Sequence, residues 1–136
     1  MADKTVLLVE DDPDEAELTI RVFRKQGLAN LVVAHDGAEA LDYLFGNGRG
    51  EEKAMPQVIL LDLKLPKVGG LEVLRRLRED DRTKSIPVVI LTSSQEDEDL
   101  MRGLDLGTNI FFRKPVDPDL FSDVVQQMVQ YWLLLA

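Results

Sequence analysis

Five polar side chains in this 136-residue sequence stand where they can do chemistry together: Glu10, Asp11, Asp62, Thr92 and Lys114. Each closes a short apolar run. Glu10 and Asp11 follow residues 5–9, Asp62 follows 58–61, Thr92 follows 87–91, and Lys114 follows 110–112. One Asp after a strand is ordinary turn chemistry. Five polar groups ending four separate strands are not, because the C-terminal strand ends of an open parallel sheet line the crevice where ligands bind. Three carboxylates in one pocket repel each other, and burial raises their proton affinity unless a cation compensates. Oxygen donors without His or Cys select Mg²⁺, or Mn²⁺, over zinc. A carboxylate can itself be a nucleophile and form an aspartyl phosphate. Lys114 would then neutralise one phosphoryl oxygen, and Thr92 would donate a hydrogen bond to another. These residue types point to a Mg²⁺-assisted phosphoacceptor site.

The elements that must position them alternate strand and helix five times. Asp12 is placed to cap a first helix opened by Pro13, with Ala16, Ile20 and Phe23 on one face and Gly27 as its stop. Residues 31–34 read as a second strand, followed by Asp36-Gly37 and a helix carrying Ala40, Leu41 and Leu44. A polar, Gly-rich loop-like insertion spans residues 46–55. Asp62 ends the third strand, and Leu71, Val73, Leu74 and Leu77 mark the next helix. The acidic run 96–99 suits a helix N-terminus. Residues 110–112 form the fifth strand, and Asp117-Pro118 opens a last helix with Phe121, Val124, Val125, Met128 and Trp132 on its stripe. Such alternation implies parallel strands with right-handed crossovers and helices on both faces. Near-continuous apolar strands fit burial on both sides.

Composition sets the outer bounds. The 25 acidic against 16 basic residues leave a net charge of -9, which opposes non-specific nucleic-acid binding. Cysteine is absent, which removes disulfides, thiolate metal sites and Cys nucleophiles. No apolar run approaches the ~20 residues that span a bilayer. The start, Met1-Ala2-Asp3-Lys4, lacks the pattern of a signal peptide. One cytoplasmic domain over residues 1–136, with no membrane insertion, is expected.

The sequence resembles the receiver domains of two-component response regulators. The resemblance rests on Val6-Leu7-Leu8-Val9-Glu10-Asp11-Asp12, Leu61-Asp62-Leu63-Lys64-Leu65-Pro66, Leu91-Thr92-Ser93-Ser94 and Lys114-Pro115. It implies a flavodoxin-like, doubly wound α/β fold with five helices and a five-stranded parallel sheet of order 2-1-3-4-5. It implies that Asp62 accepts a phosphoryl group from a histidine kinase or phosphotransfer protein. Asp11, Asp62 and the backbone carbonyl of Lys64 would bind Mg²⁺, and Glu10 would act through water. Thr92 and Lys114 would contact the phosphoryl group. As a switch, the Thr92 hydroxyl would be drawn inward and Phe111 would favour an inward rotamer. Phe111 has no hydroxyl to bury, so it is expected inward even without phosphate. The resemblance further implies a cis Lys114-Pro115 bond. Residues 101–129, the fourth helix, fifth strand and fifth helix, would be the face for a downstream partner or homodimer, with no output domain in the chain. The loop at 46–55 and the apolar ending resemble stand-alone regulators paired with bacterial phytochrome-type kinases.

Other readings fit less well. A haloacid-dehalogenase-type phosphatase needs a second acid two residues after the nucleophile, where this sequence has Lys64. A flavin-binding relative would want a Ser/Thr/Gly phosphate loop where Glu10-Asp11-Asp12 stands, and those acids would repel the phosphate. The chain is therefore expected to be a phosphoacceptor and not an enzyme acting on separate substrates; the alternative is a phosphate-independent pseudo-receiver that serves as an interaction module. Gly46-Asn47-Gly48-Arg49-Gly50 follows a helix and reads as loop. His35 reads as a strand-end residue, and Arg75, Arg76, Arg78, Arg82 and Lys84 as a solvated helix face.

The resemblance implies that Lys64, the second residue after the phosphoacceptor, flanks the path of the water that would hydrolyse an acyl phosphate, and Lys64 with Ser94 opposite it is expected to set the phosphoryl lifetime. Lys64→Ala and Ser94→Ala are expected to change the dephosphorylation rate of phosphorylated protein, followed by loss of the phosphoryl adduct in intact mass. An unchanged rate in both would refute a lifetime role.

Overall fold

The computed structural model describes residues 5–25, 27, 30–46, 55–62, 69–92, 109–113, 119, 122–123 and 126–127, with backbone alone for 92 and 109–113. In chain order these residues form β1 (Val6–Val9), α1 (Pro13–Lys25), β2 (Leu31–Ala34), α2 (Gly37–Phe45), β3 (Val58–Asp62), α3 (Gly70–Glu79), β4 (Val88–Thr92) and β5 (Asn109–Arg113). All pairings are parallel, and the sheet order is β2-β1-β3-β4-β5. The helices expected beyond α3 fall mostly on residues outside those described.

The strands β1 and β3 are buried along their whole lengths, as strands covered on both faces must be. On one face Leu7, Val9, Ile59, Leu61, Val88 and Ile90 pack with Ala40 and Leu44 of α2 and with Val73, Leu74 and Leu77 of α3. The alternate residues Val6, Leu8, Val58, Leu60 and Val89 are equally buried and, by strand alternation, point to the other face. The edge strand β2 is only half covered along Leu31, Val32 and Val33.

Helix α1 buries Ala16, Thr19, Val22 and Phe23. The expected face is therefore rotated: Ile20 is only partly buried, because Thr19 satisfies its hydroxyl on the Glu15 carbonyl at 3.1 Å and can take the inward position. Gly27, at φ 84, accepts the left-handed backbone beyond the helix end and donates its N–H to the Arg24 carbonyl. Asp36 caps α2 by accepting the Glu39 N–H at 2.7 Å.

The basic stretch is not simply a solvated face. Arg78 is partly buried and donates to the carbonyls of Lys84 and Ile86 at 3.0 and 2.9 Å, pinning the turn that leads into β4. Arg76 and Arg82 each lie 5.6 Å from the ring centre of Phe45, within cation–π reach. Arg75 pairs with Glu72, and Lys84 with Asp81. Thr83, fully buried, donates to the Leu77 carbonyl at 2.7 Å. Carboxylates and carbonyls of the same segment thus engage Arg75, Arg78, Arg82 and Lys84, and the Phe45 ring engages Arg76.

Asp80 anchors the same turn. Its carboxylate accepts the Arg82 side chain and the Arg82 N–H, and those bonds hold its carboxyl below the ordinary value of 3.8. A carboxyl with a depressed folded pKa stabilises the fold above its unfolded value, and the contribution is lost as pH falls through the folded value. Asp80→Asn should therefore lower the urea midpoint near neutral pH, and its gap to wild type should narrow as the medium is acidified below 3.8. A gap independent of pH would contradict the charge-assisted role of this turn.

Candidate functional site

The ladder register builds the site. Val9 stands opposite Leu61, so the next residues, Glu10 and Asp62, come level at the C-terminal edge of the sheet. The Glu10 N–H closes the β1–β2 ladder on the Ala34 carbonyl at 3.0 Å. Extended backbone would send the side chains of Glu10 and Asp11 to opposite faces. The chain bends at Asp11 instead, and a carboxylate oxygen from each of Glu10, Asp11 and Asp62 lies within 4.8 Å of the other two.

The three acids are not equivalent. Glu10 and Asp62 are buried, at 2% and 5% exposure, whereas Asp11 faces solvent. One Glu10 oxygen accepts the Asp12 N–H at 3.3 Å. Asp12 caps α1 as expected, its Oδ1 accepting the N–H groups of Asp14 and Glu15 at 2.9 and 3.4 Å. Its backbone bond to Glu10 has no signature in residue types, since an N–H belongs to every residue but proline. Two like charges at 4.8 Å repel by roughly 1 kcal/mol in bulk water and about 3.5 kcal/mol at an effective dielectric near 20. A divalent cation relieves this repulsion.

The donor set fits Mg²⁺ or Mn²⁺. All three donors are hard oxygens, and around Mg²⁺ neighbouring octahedral oxygens stand about 3 Å apart and opposite ones about 4.2 Å. The three carboxylate oxygens lie within 4.8 Å of one another, so side-chain adjustment or an intervening water brings them to an ion.

The other expected site residues are placed in part. Thr92 ends β4, one position beyond the Leu91 that stands opposite Asp62. Phe111 stands in the middle of β5, opposite Ile90; the orientations of both side chains lie outside what is described. Lys114 follows directly on the end of β5, at Arg113, and it, Lys64, Ser94 and Pro115 lie outside the described residues, as do most of residues 101–129. His35 is exposed just after β2, as expected.

A parallel α/β sheet with an acidic pocket at its C-terminal edge is the arrangement expected of a receiver domain, and the comparisons place the chain in that class. The response regulator receiver domain family matches residues 6–126, and the chain belongs to that family. It is close to phytochrome-associated response regulators. The bacteriophytochrome response regulator AtBRR is 47% identical, with a TM-score of 0.77 over 97% of this chain and 96% of that one. The phosphorylated cyanobacterial phytochrome response regulator RcpA is 33% identical, with a TM-score of 0.83 over 99% of this chain and 97% of that one. Response regulator Rcp1 of Synechocystis sp. is 36% identical over 96% of this chain and 89% of its own length. The Mn(2+)-bound form of a response regulator Rcp1 superimposes with a TM-score of 0.81 at 33% identity, over 98% of this chain and 96% of that one. Membership makes the chain a phosphoacceptor module of two-component signalling and implies a histidine kinase as its partner. Among the described residues, no helix is long and apolar enough to cross a membrane.

Repulsion within the acidic cluster gives a direct expectation. In metal-free buffer, Asp62→Asn should be more stable than wild type by about 1 kcal/mol. Added Mg²⁺ should raise the wild-type melting temperature and leave the variant nearly unmoved. Equal responses of the two proteins would show that the carboxylates are not held in mutual repulsion.

Proposed function

We propose that Asp62 accepts a phosphoryl group from a phosphohistidine of a histidine kinase or phosphotransfer protein. An Asp62 carboxylate oxygen attacks phosphorus as the P–N bond to histidine breaks; the imidazole keeps that electron pair and takes up a proton. The observation that carries this reading is the meeting of Glu10, Asp11 and Asp62 at the C-terminal sheet edge. The Mn(2+)-bound and phosphorylated relatives support it.

Asp11, Asp62 and the Lys64 carbonyl would hold Mg²⁺ or Mn²⁺, with Glu10 acting through water. The bond Glu10 accepts from Asp12 suits that outer role, since one of its oxygens is already committed. When bound, the ion neutralises charge on the carboxylates and on the transferring phosphoryl oxygens. Lys114 contributes a second positive charge and the Thr92 hydroxyl a hydrogen bond. Thr92 sits at the end of a buried strand, so its approach to a phosphoryl group couples the site to Phe111 on the neighbouring strand. Phe111 turns inward, and residues 101–129 present the altered face to a protein partner or a second copy. A doubly wound flavodoxin-like fold with five helices completes this reading, with residues 1–136 acting as one receiver unit in the cytoplasm.

Incubation with acetyl phosphate and Mg²⁺, read by intact mass, tests the assignment. Wild type should gain a single phosphoryl adduct that requires Mg²⁺, and Asp62→Ala should gain none. If acetyl phosphate leaves wild type unmodified, a competent kinase replaces it as donor. Failure with both donors would contradict the reading and favour a phosphate-independent pseudo-receiver.

A further inference from the structure

Glu10 and Asp11 are neighbours in the chain, yet their carboxylates share one pocket with Asp62. That arrangement requires the backbone to leave its extended path immediately after β1. The residue that holds the turn is Asp12, through three kinds of bond at once. Its N–H donates to Glu10 Oε2 at 3.3 Å. Its Oδ1 accepts the Asp14 and Glu15 N–H groups at 2.9 and 3.4 Å. Its carbonyl accepts the Ala16 N–H at 3.0 Å, starting the α1 ladder.

We propose that Asp12 is a positioning residue of the acidic pocket, fixing the Glu10 and Asp11 carboxylates for a divalent cation by tying the β1–α1 turn to the first turn of α1. The inference rests on the metal reading above and extends it to a residue that holds no ion itself. Its side chain is exposed and its oxygens do not belong to the three-carboxylate cluster. Two effects of replacing it are separable. Removing the cap loosens the turn, an effect of geometry that salt does not screen. Removing the charge reduces the attraction of the pocket for cations, which salt does screen. Asn retains the capping acceptor and the N–H, whereas Ala retains only the N–H and carbonyl.

Titration with Mn²⁺ alone, following free Mn²⁺ by electron paramagnetic resonance, separates these effects in wild type, Asp12→Ala, Asp12→Asn and Asp12→Ser. At low salt, Asp12→Ala should weaken binding about tenfold, about fivefold from the lost N-cap and about twofold from the lost charge. Most of that loss should persist in about 0.5 M KCl, where the Debye length falls to about 4 Å. Asp12→Asn should lose about twofold at low salt and recover near wild-type affinity at high salt. Asp12→Ser, a neutral cap, should follow Asn. If Ala, Asn and Ser weaken binding equally and recover together at high salt, Asp12 acts only as a distant charge. If Asp12→Ala binds like wild type, the positioning role is wrong while the metal site stands. If wild type itself binds no Mn²⁺, the metal reading falls along with this one.

Discussion

Mutual repulsion among three carboxylates is the constraint around which this structure is arranged. Glu10, Asp11 and Asp62 bring oxygens within 4.8 Å of one another, and two of the three are buried. Such a cluster persists only on a scaffold that does not yield, and the sheet supplies one. Glu10 extends the buried strand β1 and Asp62 ends the buried strand β3, in direct parallel register. Separating the backbones that carry Glu10 and Asp62 would require slipping that register, which would carry Val9 and Leu61 out of the packed core they share with α2 and α3. Apolar packing of the strands thus holds the two buried acids level at the sheet edge.

The route from β3 to β4 shows a second level of the same design. Thr92 lies at one end of β4, and at the other end Arg78, Asp80 and Thr83 fix the turn that leads into the strand. The bonds of Arg78 and Thr83 to carbonyls of the turn and of α3, with the Arg82 N–H held by the Asp80 carboxylate, set where β4 begins. The ladder to β3 then carries that placement along the strand to Thr92. Arg76 and Arg82 bring Phe45, at the end of α2, into the same corner. The basic segment works as scaffold for the strand that ends in Thr92.

Much of this was legible in the sequence for a physical reason. Strands buried on both faces leave unbroken apolar runs, and the acids that end them mark the ligand edge of a parallel sheet. Asp12 and Asp36 announced helix starts because a capping side chain is a requirement of residue type. What stayed hidden were contacts that type does not encode. The exchange of Ile20 for Thr19 on the inner face of α1 depends on a hydroxyl satisfied by its own helix. The bond from the Asp12 N–H to Glu10 is a backbone property, and the capture of turn carbonyls by Arg78 depends on the path of the chain between α3 and β4. The acidic triad is seen directly, whereas Lys64, Ser94 and Lys114 lie outside the described residues and stand on the family resemblance.

A crystal structure of the protein with Mg²⁺ and beryllofluoride, a stable mimic of a phosphoryl group, would test the convergence of strand-end groups most directly. The expected density is a tetrahedral adduct on an Asp62 oxygen, with the ion held by Asp11 and Asp62. The Thr92 hydroxyl and the Lys114 ammonium should each lie within hydrogen-bond distance of a fluorine. An adduct on another carboxylate, or Thr92 and Lys114 turned away from an adduct on Asp62, would contradict a single pocket built from four strand ends.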